Sequence, residues 1–246
     1  MKLPTGIPPR RCTLSIAVLA LALALALLAI TGCAGVAVKQ AAGPALAPLP
    51  PLVTAGAVHY SIRPGLSDIR FLVYRAGPLA AFGHNHVIRA SGIHGDLYLS
   101  RKFTLSGFAF SLPLADLQVD APADRAAEGA DFTAQPSAAA IAGTLHNMLG
   151  PAVLDVARYP DIRVRSVRLV GPEWGPEVTV RITLHGTERE LSVPIALNHC
   201  GKLLTATGRF DIRQSDFGIT PFSILGGGLQ VADTVKVQFH IVAERD

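Results

Sequence analysis

The chain has 246 residues, half of them hydrophobic, with 22 basic and 18 acidic side chains and a formal net charge of +4. Three of the basic residues, Lys2, Arg10 and Arg11, fall in the first 32; the other 214 residues hold 19 basic and 18 acidic groups, a net charge of +1. No Lys/Arg run follows, which excludes a nucleic-acid-binding face, and the length is enough for one domain with a full core.

Residues 15–30 form an almost unbroken Leu/Ala run behind a basic, acid-free start. That combination is a secretory signal and not part of a fold. The run is slightly short of the roughly 20 residues a spanning helix needs, and it ends in Ile30-Thr31-Gly32-Cys33. This tetrapeptide resembles a lipobox, which implies cleavage before Cys33 and acylation of its sulfur and freed amine; the alternative is an uncleaved N-terminal anchor. Several acyl chains give stable membrane attachment where one is marginal. The expected parts are a lipoprotein signal at 1–32, a tether at 33–57 and one domain at 58–245. With Cys12 removed and Cys33 lipidated, Cys200 is the only thiol left, so neither an internal disulfide nor a cysteine metal cluster is expected. Residues 34–57 are mostly Ala, Pro, Gly, Val and Leu, broken by Pro44, Pro48, Pro50 and Pro51, and read as a semi-extended spacer. Ala34, not an acid, follows Cys33. By the same resemblance, that favours the periplasmic face of an outer membrane.

From His59 the text changes to period-two alternation. Val178, Val180, Ile182 and Leu184 alternate with polar neighbours, and Leu191, Val193, Ile195 and Leu197 repeat the pattern after Gly186, predicting a hairpin with one dry face. Similar alternation runs through Ile69, Phe71 and Val73, through Phe108, Phe110 and Leu112, and through Val235, Val237, Phe239 and Ile241. About eight strands are expected. Near Arg165 and Ser166 the apolar phase slips, which predicts a β-bulge. Residues 120–135 read as a surface loop, and 137–149 as one short amphipathic helix. A meander of this kind either closes into a barrel or stacks as a sandwich, since both remove exposed edges.

The most enzyme-like feature is Gly83-His84-Asn85-His86, because His-x-His can present two imidazoles to zinc or copper. Two ligands do not make a site, and no carboxylate cluster accompanies them in the sequence, so a polar rim is the reading preferred. Ser215-Asp216 lacks the glycine elbow of a nucleophile; Asp211, Arg213 and Asp216 are expected to form a strand-end charge cluster, with Gly218 at the bend. Gly226-Gly227-Gly228 lacks the Lys-Ser/Thr that phosphate cradling needs and reads as a hairpin connection.

Four motifs follow one another in the second half: Ala157-Arg158-Tyr159-Pro160-Asp161-Ile162, Arg165-Ser166, Leu184-His185-Gly186-Thr187, and Arg209-Phe210-Asp211-Ile212-Arg213-Gln214-Ser215-Asp216-Phe217-Gly218-Ile219. With Tyr60-Ser61-Ile62 and Phe82-Gly83-His84-Asn85-His86 in the first half, this succession resembles the YceI-like family over residues 59–243. One departure is the helix stretch Ala142-Gly143-Thr144-Leu145-His146-Asn147-Met148, where many relatives carry an Arg-Asp pair before a His-Leu.

The resemblance implies an all-β fold, an eight-stranded antiparallel lipocalin-like barrel with one short helix, whose interior holds an isoprenoid or other long-chain lipid. It implies no catalytic residue and no cofactor. An eight-stranded barrel is just wide enough for side chains or one slender ligand, and burying a polyprenyl chain is favourable by roughly 25 cal/mol per Å² without strong polar partners. The candidate lipid-binding residues are Phe71, Val73, Phe108, Phe110, Phe210, Ile212, Phe217, Phe222, Phe239 and Ile241. In a barrel, core and ligand wall share a face, so each is equally a core position. The partners expected are this lipid and, through acylated Cys33, the membrane; whether the barrel dimerises is left open. The alternatives are a metal-binding protein or metal-dependent enzyme using His84 and His86, and an envelope protein whose barrel is filled by side chains.

Overall fold

The hairpin expected at residues 177–197 forms in the register that buries its dry face. Strand β8 (Glu177–Leu184) lies antiparallel to β9 (Thr187–Cys200), pairing Val178 with Val193 and Val180 with Leu191. Val178, Val180, Ile182, Leu184 and Val193 are all buried. The two-residue turn has both His185 and Gly186 at positive φ, which matches the twist of the flanking strands. Only glycine fits at 186, because a Cβ there would stand 2.6 Å from the Tyr159 ring.

This computed structural model describes residues 46–246; the signal expected at 1–32, Cys33 and the first part of the tether lie outside the described residues. Six short strands open the domain: β1 (Val58–Ile62), β2 (Asp68–Ala76), β3 (His86–Ala90), β4 (His94–Leu99), β5 (Gly107–Pro113) and β6 (Gln118–Val119). Two helices follow, α1 (Pro122–Ala127) and α2 (Ala138–Leu149), then β7 (Asp161–Val170), β8, β9, β10 (Leu203–Arg213), the two-residue β11 (Ser223–Ile224) and β12 (Leu229–Arg245).

The pairings resolve the first six strands into three broken ones. One edge of β12 is shared in sequence by β2 (Gln230 with Ala76 to His240 with Asp68) and β1 (Ile62 with Ala243, Tyr60 with Arg245), so β1 and β2 are halves of one strand. Likewise β1 pairs β4 while β2 pairs β3, and β4 pairs β5 while β3 pairs β6. From β5 the order runs β7, β8, β9, β10 and back to β12. Eight antiparallel ribbons therefore close on themselves, every neighbour being next in sequence, and closure removes the free edges that would template aggregation. Two breaks lie side by side, since a Cβ on Gly92 would stand 2.5 Å from a carboxylate oxygen of Asp116.

The expected bulge is present. The β7–β8 register shifts between Ser166 and Arg168, and the Ser166 hydroxyl accepts from the Phe108 amide at 2.9 Å. The expected helix is present too, capped by Ser137, whose hydroxyl oxygen accepts from the Ala140 amide.

Residues 120–135 are not a surface loop. They form α1 and a one-turn helix at Ala130–Phe132, with Asp120, Asp124, Arg125 and Phe132 buried. Phe132 packs with Leu72, Val87 and Tyr74 in a small second core outside the barrel. The described end of the tether lies against the barrel wall: Arg181 donates to the Ala47 carbonyl at 2.6 Å, and Arg165 donates to that of Pro50. The charge cluster also differs from expectation, because Arg213 pairs across the sheet with Asp233 and not with Asp211 or Asp216. Gly218 does supply the bend, at φ 74°.

Candidate functional site: an apolar lumen with a polar wall

Alternation sends one face of every strand inward, and the inward side chains leave two adjoining chambers unfilled. The larger has a volume of about 310 Å³ and the smaller about 100 Å³; Phe71, Ile162, Leu184 and Ile212 belong to both walls. The smaller chamber is lined by apolar side chains throughout. Phe108 stacks on Phe110 with centroids 5.9 Å apart, and Phe210 meets Phe239 edge to face at 6.4 Å. Gly208 makes room for that pair, since a Cβ would stand 2.5 Å from the Phe239 ring.

The larger chamber opens at the end where β2 meets β3, β8 meets β9 and β10 leads to β12. Helix α2 covers it with Thr144, Asn147 and Met148, while Ile141, Leu145 and Leu149 pack on the core. Phe82, Ile224 and Leu229 complete the rim, and Phe82 and Leu225 are largely exposed there.

Nine of the ten expected lining residues stand on a chamber wall. Phe108, Phe110, Phe210, Phe239 and Ile241 line the smaller, Val73 and Phe222 the larger, and Phe71 and Ile212 both. Phe217 is the exception; its ring is fully buried in the turn after β10 and belongs to the packed core, not to either wall. Wall positions that alternation did not reveal come from the breaks and turns, such as Leu114, Leu117 and Ile219, and from helix α2, such as Met148. Turns carry no period-two signal.

His84 and His86 also stand on the larger chamber's wall, with ring centroids 4.6 Å apart. The carboxylate missing from their sequence neighbourhood arrives from the end of β6. Asp120 Oδ2 lies 2.6 Å from His86 Nδ1, while Oδ1 accepts from the Val87 amide at 3.0 Å and from Arg125 at 2.5 Å. Arg125 is fully buried and donates as well to the carbonyls of Asn85 and Ala134. Burial works against the Asp120 charge, but the bonds from His86, Val87 and Arg125 outweigh it and hold the carboxyl below its ordinary range. Burial, and then the neighbouring His86, push the His84 imidazole below its ordinary value.

A YceI-like domain model matches residues 60–243. Among solved structures, BcnA of Burkholderia cenocepacia is 15% identical at a TM-score of 0.54, covering 74% of this chain and 98% of its own. A polyisoprenoid binding domain from Saccharophagus degradans, implicated in plant cell wall breakdown, is 14% identical at 0.52, covering 77% and 99%. These likenesses concern the fold. No curated protein sequence matches the chain. With the family model spanning nearly the whole barrel, from the start of β1 to the end of β12, the chain belongs to the YceI-like family.

Proposed function

We propose that the barrel binds the chain of an isoprenoid or similar long lipid and acts as a carrier or sequestering protein, not as an enzyme. The observation that carries this is the pair of adjoining chambers, one of them wholly apolar in its lining. A barrel serving only as an envelope brace gains from filling that space, because an unfilled cavity costs about 24 cal/mol per Å³. A polyprenyl chain recovers the loss, with each buried methylene contributing about 0.8 kcal/mol. The larger volume sits at the low end of the roughly 300–1,000 Å³ of small-molecule sites, which suits a slender tail.

The exposed apolar rim at Phe82 and Leu225 is the entry for a ligand drawn from a membrane. Export through the signal at 1–32 and acylation of Cys33 would hold the barrel at the periplasmic face of an envelope membrane. The relative from Saccharophagus degradans, described as polyisoprenoid-binding, supports the same ligand class.

The test is a transfer assay, in which delipidated protein is mixed with vesicles carrying a labelled polyprenol and then separated from them. Label should move to the protein, and Ala206→Phe, which places a ring in the smaller chamber, should cut the transfer sharply. Equal transfer by the two proteins would remove the chambers as the site.

A further inference from the structure

His84, His86 and Asp120 form a constellation that lipid binding does not require. One ligand atom from each lies within 4.8 Å of the other two. The ring nitrogen Nε2 of His84 is buried and has no hydrogen-bond partner among the described residues, an arrangement that costs free energy unless something completes it. The group is rigidly held. Between the histidines, the Asn85 side chain accepts from the Arg75 amide at 3.0 Å and donates to the Asp131 carbonyl at 2.9 Å, which fixes the turn that presents both rings. Asp120 is pinned by Arg125 and the Val87 amide, so its second oxygen is aimed at the histidines without freedom to turn away.

We propose that His84, His86 and Asp120 form a binding site for a divalent first-row transition metal ion such as zinc. Two imidazoles and a carboxylate are the donor set of three-ligand sites that leave a coordination position open. Metal bonds of about 2.0–2.2 Å place ligand atoms roughly 3.3 Å apart in a tetrahedral shell. On binding, the ion would therefore replace the 2.6 Å His86–Asp120 hydrogen bond and draw in the His84 ring, which lies within reach. Arg125 lies behind the carboxylate and holds it in place, as partners of ligating carboxylates do. The two histidines share the wall of the larger chamber, so a ligand in that chamber would lie beside the site. If a lipid occupies that chamber, an oxygen of its head group is placed to complete the shell; this last point rests on the lipid reading, and the metal site does not.

The experiment uses the full-length protein, purified without a polyhistidine tag, stripped with a chelator and titrated with Co²⁺ and then Zn²⁺. Expected is one Co²⁺ per chain with visible d–d absorption, and its displacement by Zn²⁺. His84→Ala should weaken binding by roughly 100-fold or more, and this ring makes no Nε2 contact on which the fold depends. Asp120→Asn is the second variant, read only after circular dichroism shows it folded. Absence of a d–d band in the wild-type protein, or unchanged affinity in His84→Ala, overturns the proposal. Lipid extracted from the same preparation separates the two readings: lipid without metal removes only the metal site, and metal without lipid removes only the carrier role.

Discussion

Phe217 and Phe108 are both aromatic and both expected from the sequence to line the lumen, yet the structure places one in the turn after β10 and the other on strand β5. Phe217 is wholly buried in packed core, so Phe217→Ala should cost about 3–5 kcal/mol of stability while the folded fraction retains its ligand. Phe108 lines the smaller chamber, so Phe108→Asp should empty the barrel of lipid or prevent folding. Denaturant midpoints and lipid content on the same samples check both; undiminished lipid in a folded Phe108→Asp protein contradicts the wall assignment. Asp233 gives a residue-scale prediction in pH. Burial opposes its charge, but bonds from the Ser215 hydroxyl and amide and from Arg213 hold the carboxyl below its ordinary 3.8. A folded value below the unfolded one means that the anion stabilises the fold above that ordinary value. The contribution is lost as pH falls through the folded value. The melting-temperature gap between wild type and Asp233→Asn should therefore narrow in acid; a constant gap contradicts it.

Segment 120–135 shows where element-scale reading of the sequence stops. Its Ala, Asp and Glu content resembles solvated loop, and the reason it is buried lies elsewhere in the chain. Leu72, Tyr74 and Val87 put an apolar patch on the outward faces of β2 and β3, and such a patch needs a cover, which Arg70 and Arg89 help to hold by pairing with Glu128 and Asp124. The buried Arg125–Asp120 pair has no local signature, because its meaning depends on β3 being next door. Arg125→Ala takes the guanidinium from the buried Asp120 carboxylate, leaving it only His86 and the Val87 amide, and should cost about 3–5 kcal/mol, checked by urea denaturation; an unchanged midpoint contradicts that role. The hairpin at 177–197, the bulge after Ser166 and the helix at 137–149 were legible because each is encoded in its own residues. The breaks that split the first three barrel strands were not legible, and they contribute Leu114 and Leu117 to the wall of the larger chamber. His84 and His86 were visible as a pair, but their carboxylate, 34 residues beyond His86, was not.

At the scale of the whole molecule, a ring in which each strand pairs with its sequence neighbours and the last returns to the first leaves one route of variation, the filling of its interior. The chain fills it incompletely, around two chambers whose walls come from nearly every strand. Alternation alone could not decide between barrel and sandwich; the shared edge of β12, taken first by β2 and then by β1, decides it. Attachment to a membrane is a separate proposal, and it rests on acylation of Cys33. Cys33→Ser should leave an unprocessed precursor or a soluble product, read by fractionation and acyl labelling, and unaltered acylation contradicts the lipoprotein assignment. The most direct measurement is native mass spectrometry of the barrel, residues 58–246, exported to a bacterial periplasm and purified without detergent. Lipid binding predicts a stoichiometric adduct that passes into organic solvent as a prenyl or other long-chain lipid. A bare polypeptide mass, or a metal adduct with no lipid, contradicts it.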